Sequence, residues 1–269
     1  MKSCESHKQF PDYIASLQSR GQYWFLRSEI QKELGLTSNS MHVALHRLIK
    51  KQSVCRIRND FYVIVPLEYQ SKGCVPALWF IDALMQYLKL PYCVALLEAA
   101  SLEGAAHQQV MILQIMTTKL LRPITVGNQR IQFYYKKMIA PEFLIDKKTP
   151  WSYFKISTVE LTACDLVRYM DSSGQIHAVA TVLYELAEKI NVARLIELFN
   201  KKIVILYVLQ RLGYILEKSE TSLNLEPLAE LISQNKPRYI ALVGHKKAVI
   251  ERNSRWHILV DEIIELDEI

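Results

Sequence analysis

The chain has 269 residues, 50% hydrophobic and 22% charged, so it can bury a substantial core and is not disordered as a whole. At roughly 150 residues per domain it makes one large domain or about two ordinary ones. Its net charge of +6 is uneven: residues 1–66 carry ten Lys/Arg against five Asp/Glu, residues 119–155 carry eight against two, and the rest sums to −5, a basic pole that suits a polyanionic partner, or two solvated faces.

The N-terminal MKSCESHKQFPDYIASL has no apolar run of the signal-peptide kind. The five cysteines, Cys4, Cys55, Cys74, Cys93 and Cys164, are dispersed without C-x-x-C. That argues against a disulfide framework or a zinc ribbon and fits reduced thiols in a cytoplasmic protein. Phe10, Ile14 and Leu17, three and four apart ahead of Gly21, predict a first helix. RSEIQKELG predicts a short second helix from about Ser28 to Gly35. Thr37 is the expected N-cap of a third, running from Ser38 to about Lys51. A short Gly-containing turn between two helices is the helix-turn-helix pattern.

On the third helix Met41, Ala44, Leu45, Leu48 and Ile49 share one face at 100° per residue, the face expected to pack inward. The opposite face holds Ser38, Asn39, His42, His46, Arg47 and Lys50. Short polar groups and an Asn near a helix start suit base edges, and basic groups farther on suit phosphates. An ordinary solvated helix face has a similar composition. SVCRIRNDFYVIV alternates on both sides of Asn59-Asp60 and predicts a β-hairpin with a two-residue turn. Arg56 and Arg58 near its tip are placed for phosphate or minor groove. A hairpin after a helix-turn-helix is the layout of a winged helix, read here as DNA-binding, with protein contact as the alternative. His42 and His46 are four apart, a metal-ligand spacing, but H-V-A-L-H lacks the zincin Glu and a third ligand, so no metal site is expected.

SKGCVP marks a boundary, giving 1–66 as a winged helix-turn-helix domain and 67–269 as a larger mixed α/β domain with a candidate sub-boundary near 200. The class expected is α+β. Pro76 opens the predicted helix ALWFIDALMQYLK, which Pro91 ends. Asp82 and Lys89 interrupt its apolar run, so no membrane span is expected. A helix in VALLEAASLEGAAH follows, then a strand in VMILQIMTT and the hairpin PITVGNQRIQFYYKK turning at Gly127-Asn128. A strand in YFKIS leads to a capping box, Ser157-x-x-Glu160, and the helix TVELTACDLVRYM. HAVATVLYELAEKI, NVARLIELFN and KIVILYVLQRLGYIL read as helical, and strands are expected at RYIALV and WHILVDEII.

Chemistry is sparse. The chain has no G-x-x-x-x-G-K-[ST], G-x-G-x-x-G, G-x-S-x-G or H-E-x-x-H. Asp146-Lys147-Lys148 has the D-x-K spacing of metal-dependent nucleases. Such a site needs a second carboxylate on a neighbouring strand, and 104–141 contains no Asp or Glu, so a charged surface loop is the preferred reading. His107 at a helix end suits carbonyl capping better than catalysis. The basic and aromatic residues of RIQFYYKK could stack on nucleic acid, or simply alternate on a half-buried strand. No cofactor and no catalysis are expected; a metal-dependent nuclease or other nucleic-acid-processing protein is the alternative.

ALHRLIKKQSVCRIRNDFYVIVPLEY, WFIDALMQYLKLPYCVALLEAASLEGAAHQ, LLRPITVGNQRIQFYYKK, ISTVELTACDLVRYM with VATVLYELAEKI, and RNSRWHILV occur in this order. In that order the chain resembles the AbiEi antitoxins of type IV toxin–antitoxin systems over most of its length. The resemblance implies an N-terminal winged helix that binds inverted repeats in double-stranded DNA of its own promoter and represses transcription. It also implies a C-terminal domain that counters a co-encoded nucleotidyltransferase toxin, often without a stable complex. The DNA-contacting positions map to Ser38, Asn39, His42, His46, Arg47, Lys50, Arg56 and Arg58. The neutralising surface has no transferable motif; Lys119, Arg122, Arg130, Lys136, Lys137, Lys147 and Lys148 are the candidates for it, or for a second nucleic-acid contact.

Overall fold

The computed structural model describes residues 2–105, 112–244 and 248–265, with side chains from residue 10 onward. It divides into two compact units, the first made of Met1–Cys93, Met111–Ile139 and Asp146–Lys155, the second of Val94–Val110, Ala140–Ile145 and Ile156–Ile269. The class is α+β, as expected.

The first unit opens with helix α1 (Lys2–Ser19), strand β1 (Trp24–Leu26), helices α2 (Arg27–Glu33) and α3 (Ser38–Lys50), and strands β2 (Val54–Arg56) and β3 (Phe61–Ile64). The strands form an antiparallel sheet in the order β1-β3-β2. The residues expected inside are inside: Phe10, Ile14, Leu17, Met41, Ala44 and Leu45 join Phe25, Ile30, Tyr62 and Ile64 in one cluster. The Phe25 ring stacks on Tyr62 at 5.5 Å and meets Phe10 edge-on at 6.2 Å, geometries that add to area burial. Thr37 caps α3, its Oγ1 accepting from the Ser40 amide at 3.2 Å.

Two local expectations change. Ile49 is 40% exposed and Leu48 only partly buried, because the elements packed on α3 cover a stripe centred on Met41 and Leu45. The hairpin turn is longer than two residues: Arg56 pairs with Tyr62, which leaves Ile57–Asp60 in the connection. Asp60 is committed elsewhere. Its carboxylate accepts from the Ser28 amide at 2.9 Å and the Ser28 hydroxyl at 2.6 Å, and its carbonyl accepts from the Arg27 amide at 2.8 Å. Leu26, the N-cap residue of α2, has no side-chain acceptor, so Asp60 satisfies the helix start in its place.

The chain continues with α4 (Ile81–Leu88), and with strands β4 (Tyr92–Val94), β5 (Ile112–Thr117), β6 (Ile124–Val126), β7 (Gln129–Tyr135), β8 (Leu144–Lys148) and β9 (Tyr153–Ser157), which lie in a sheet ordered β6-β7-β5-β4-β9-β8. The single helix expected after Pro76 is instead a 3-10 turn, Ala77–Trp79, followed by α4. The cause lies in β7: the Gln129 amide receives the Ala77 N–H at 2.7 Å and donates to the Val75 carbonyl at 2.9 Å, holding this backbone as a short strand would. β6 and β7 turn at Gly127-Asn128 as expected, with Val126 opposite Gln129, and β7 runs parallel to β5. Gly127 has φ +52°, and a Cβ there would lie 2.3 Å from the Lys72 carbonyl oxygen.

The second unit contains α5 (Leu96–Leu102), α6 (Val159–Arg168), α7 (Gln175–Leu186), α8 (Val192–Asn200), α9 (Leu206–Lys218) and α10 (Glu226–Gln234). A small sheet of β10 (Ile240–Ala241), β11 (Glu251–Asn253) and β12 (Ile258–Val260) completes it in the order β10-β12-β11. Helix α6 is central, with every residue from Glu160 to Val167 buried. The expected capping box does not form. Thr158 is the cap, while Ser157 shares a hydrogen bond with Thr162 at 2.7 Å. Glu160 turns inward, accepting from the Asn191 amide at 3.2 Å with the Arg194 guanidinium 3.9 Å away.

Trp256 is fully buried and donates from Nε1 to Glu217 Oε2 at 2.7 Å. Its ring fills the space over Gly213 of α9, where a Cβ would stand 2.1 Å from Cζ3. Cys55, Cys74, Cys93 and Cys164 are buried and joined in no disulfide. Among the described residues no helix is long and apolar enough to cross a membrane. His107 and the start of VMILQIMTT lie outside the described residues.

Gly213→Ala should therefore destabilise the second unit by about 1–3 kcal/mol through overpacking, read as a lower unfolding midpoint with altered tryptophan emission. Burial alone pushes the Glu98 carboxyl up to about 7. The folded state then holds a proton that the unfolded chain has lost, so stability should fall as pH rises from about 4.5 to about 7. Glu98→Gln should flatten that slope, gaining on the order of 2 kcal/mol over wild type at pH 8; denaturant titrations at pH 5 and 8 check both.

Candidate nucleic-acid interface

The first unit brings the expected contact residues to its surface in unequal ways. Because Thr37 fixes the start of α3, Ser38 and Asn39 occupy its first turn and His42, His46, Arg47 and Lys50 follow along the side opposite the buried Met41, Ala44 and Leu45. All six are exposed. Ser38 is also engaged within the fold, its hydroxyl accepting from Arg27 Nη2 at 3.2 Å. Arg27 thus stands beside the start of α3, a position that no local pattern announces. Arg47 and Lys50 lie in the last turn, where the helix dipole favours cations.

At the hairpin, Arg56 is exposed and folds over the turn, donating from Nη2 to Asn59 Oδ1 at 2.8 Å. Arg58 behaves differently. It is half-buried, and Nη2 donates to the carbonyl of Arg122 at 2.8 Å. Ile57 beside it is buried. The tip therefore rests on residues 119–122 and does not project freely.

The other basic candidates are dispersed. Lys119 and Arg122 are exposed in the loop between β5 and β6 that Arg58 holds. Arg130 is exposed on β7 and donates to Gln132 Oε1 at 3.2 Å. Lys137 is exposed just past β7, whereas Lys136 is 6% exposed and is not part of an open surface. Lys147 and Lys148 sit on β8, an edge strand four strand positions from β7, or about 19 Å at ordinary spacing. Loop, hairpin and α3 can form one basic surface; β8 is a separate one.

Asp146 also lies on β8 and not in a loop. It makes an ion pair with Lys155 at 2.9 Å, both groups about half exposed. Asp82 reaches the same neighbourhood through Tyr92, whose hydroxyl donates to Asp82 Oδ1 at 2.9 Å and accepts the Lys155 amide at 3.2 Å. Burial raises the Tyr92 phenol well above its ordinary range, with Asp82 and Asp146 adding to the effect, so it stays protonated as the donor of this network. Among the described residues no three His, Cys, Asp or Glu side chains are grouped to hold a metal ion, and His42 and His46 have no third member.

Residues 93–218, from β4 to the end of α9, match the family model described as the AbiEi antitoxin C-terminal domain. No curated protein matches the chain. A solved structure similar to it is that of the RV2827C protein from Mycobacterium tuberculosis, with a TM-score of 0.66 and 11% identity over 91% of this chain and 89% of that one. At that identity the likeness is one of fold. Over residues 93–218 the chain is thus similar to the C-terminal domain of the AbiEi antitoxins.

Proposed function

We propose that the chain is the antitoxin and transcriptional autorepressor of a type IV toxin–antitoxin system. In this reading residues 1–66 are a winged helix-turn-helix that binds inverted repeats in its own promoter, and residues 67–269 counter a co-encoded nucleotidyltransferase toxin. The observation that carries the DNA-reading half is the face of α3: an Asn in the first turn, two His along its length, an Arg and a Lys in the last turn, all exposed above a buried apolar stripe. A helix of this length fits the major groove, with its start at base edges and its basic end at the backbone. The β2–β3 hairpin packs against α3 through β2, with Arg56 exposed for phosphate.

The antitoxin half rests on the family match over 93–218. The exposed Lys and Arg of the first unit give the toxin-countering function a candidate surface, Lys148 on the edge of the sheet above all, with the half-buried Lys147 next to it in the chain. A nuclease reading receives less support, because Asp146 is held by Lys155.

On DNA from upstream of its own gene, Arg47→Ala should weaken binding on all sequences and reduce the salt slope by about 1. Asn39→Ala should relax preference at one base pair, by about 1–3 kcal/mol. In cells, the double variant should derepress a promoter reporter and still relieve growth arrest by the toxin encoded next to it. Unchanged binding and repression in both variants would reject the assignment of α3.

A further inference from the structure

We propose that residues 119–122, the loop between β5 and β6, form a second DNA contact in which Leu120 is an apolar wedge for the minor groove. The inference rests on the DNA-reading role proposed for α3 and goes beyond it by assigning a residue and a groove.

Leu120 is 78% exposed, among the most exposed large apolar side chains of the chain. A lone exposed leucine is unremarkable in itself. This one is set between two exposed cations, Lys119 and Arg122, with the half-exposed Leu121 beside it and Pro123 stiffening the way out of the loop. An apolar side chain flanked by Lys and Arg is the chemistry with which proteins enter the minor groove: the cations take the phosphates on either side, and the apolar group slips between two base pairs.

The loop is also held in one place. Arg58 Nη2 donates to the Arg122 carbonyl at 2.8 Å, which seats the loop against the tip of the β2–β3 hairpin. A hairpin that follows a major-groove helix reaches the adjoining minor groove, so a loop attached to its tip arrives there with it. Arg58 is therefore a positioning residue. It orients the loop that touches DNA, and Arg56, Lys119 and Arg122 supply the local positive charge. This charge complementarity favours DNA as the occupant over a protein partner.

The test uses the full chain on duplex DNA from upstream of its own gene, with 2-aminopurine placed at successive positions, against a scrambled duplex. Wild type should bind specifically and brighten 2-aminopurine at one step beside the protected major groove. Leu120→Ala should lose that signal and about tenfold in affinity with the salt slope unchanged. Leu120→Phe, also a wedge, should restore both. Lys119→Ala should lower the salt slope by about 1 and leave the unstacking signal in place. Because Leu120 is exposed, the unfolding midpoint of its variants should match wild type. Specific wild-type binding that Leu120→Ala leaves intact would overturn the wedge and spare the role of α3. Loss of toxin neutralisation in Leu120→Ala with normal DNA binding would make the loop a protein contact and overturn the proposal. Absence of specific binding by wild type would overturn both readings.

Discussion

Asp60 ties the first unit together. Its carboxylate and carbonyl take the free N–H groups at the start of α2, whose preceding residue, Leu26, offers no side-chain oxygen. A cap of this kind is worth about 1 kcal/mol in helix stability, but here it also fixes geometry. The hairpin cannot move away from α2 without exposing both partners, and α2 leads through Gly35 and the Thr37 cap directly into α3. The outward face of α3, the tip of the hairpin and the loop under Arg58 are placed by one chain of hydrogen bonds. Burial of Phe25, Tyr62, Phe10 and Met41 beneath them supplies the larger free energy.

The second unit is organised on other terms. Helix α6 is buried on all sides, so the polar groups it carries must be matched internally, as Glu160 is by the Asn191 amide and Arg194. At the other end of the unit a flat aromatic ring over a glycine sets the distance between α9 and the last strands, and Gln210 completes the joint by donating to the carbonyls of Arg238 and Trp256. The family match, residues 93–218, includes the α9 side of this joint and ends at the last residue of that helix.

Much of this was legible in the sequence because it is local. The spacing of Phe10, Ile14 and Leu17, the Thr37 cap, the polar face of α3 and the Gly127-Asn128 turn each depend on neighbours within one or two helical turns. What the sequence hid depends on distant partners. Asp60 looks like a turn residue until Ser28, 32 positions away, is seen to claim it. The break in the helix after Pro76 comes from Gln129, 52 residues on. Glu160 completes a capping box on paper, but burial of α6 offers it a better partner in Asn191. Arg58 reads as a free cation at a tip, and only the position of Arg122 shows that it is an anchor. Lys136, charged and flanked by exposed residues, gave no local sign of its burial.

The most direct measurement is a hydroxyl-radical and methylation footprint of the full chain on DNA from upstream of its own gene. If α3 and the hairpin read DNA together, each half of an inverted repeat should show guanine N7 protection in a major groove, with sugar protection in the adjoining minor groove. Protection that follows neither repeat, or that a scrambled duplex reproduces at the same concentration, would contradict the DNA-reading role and leave the basic unit as a surface for protein alone.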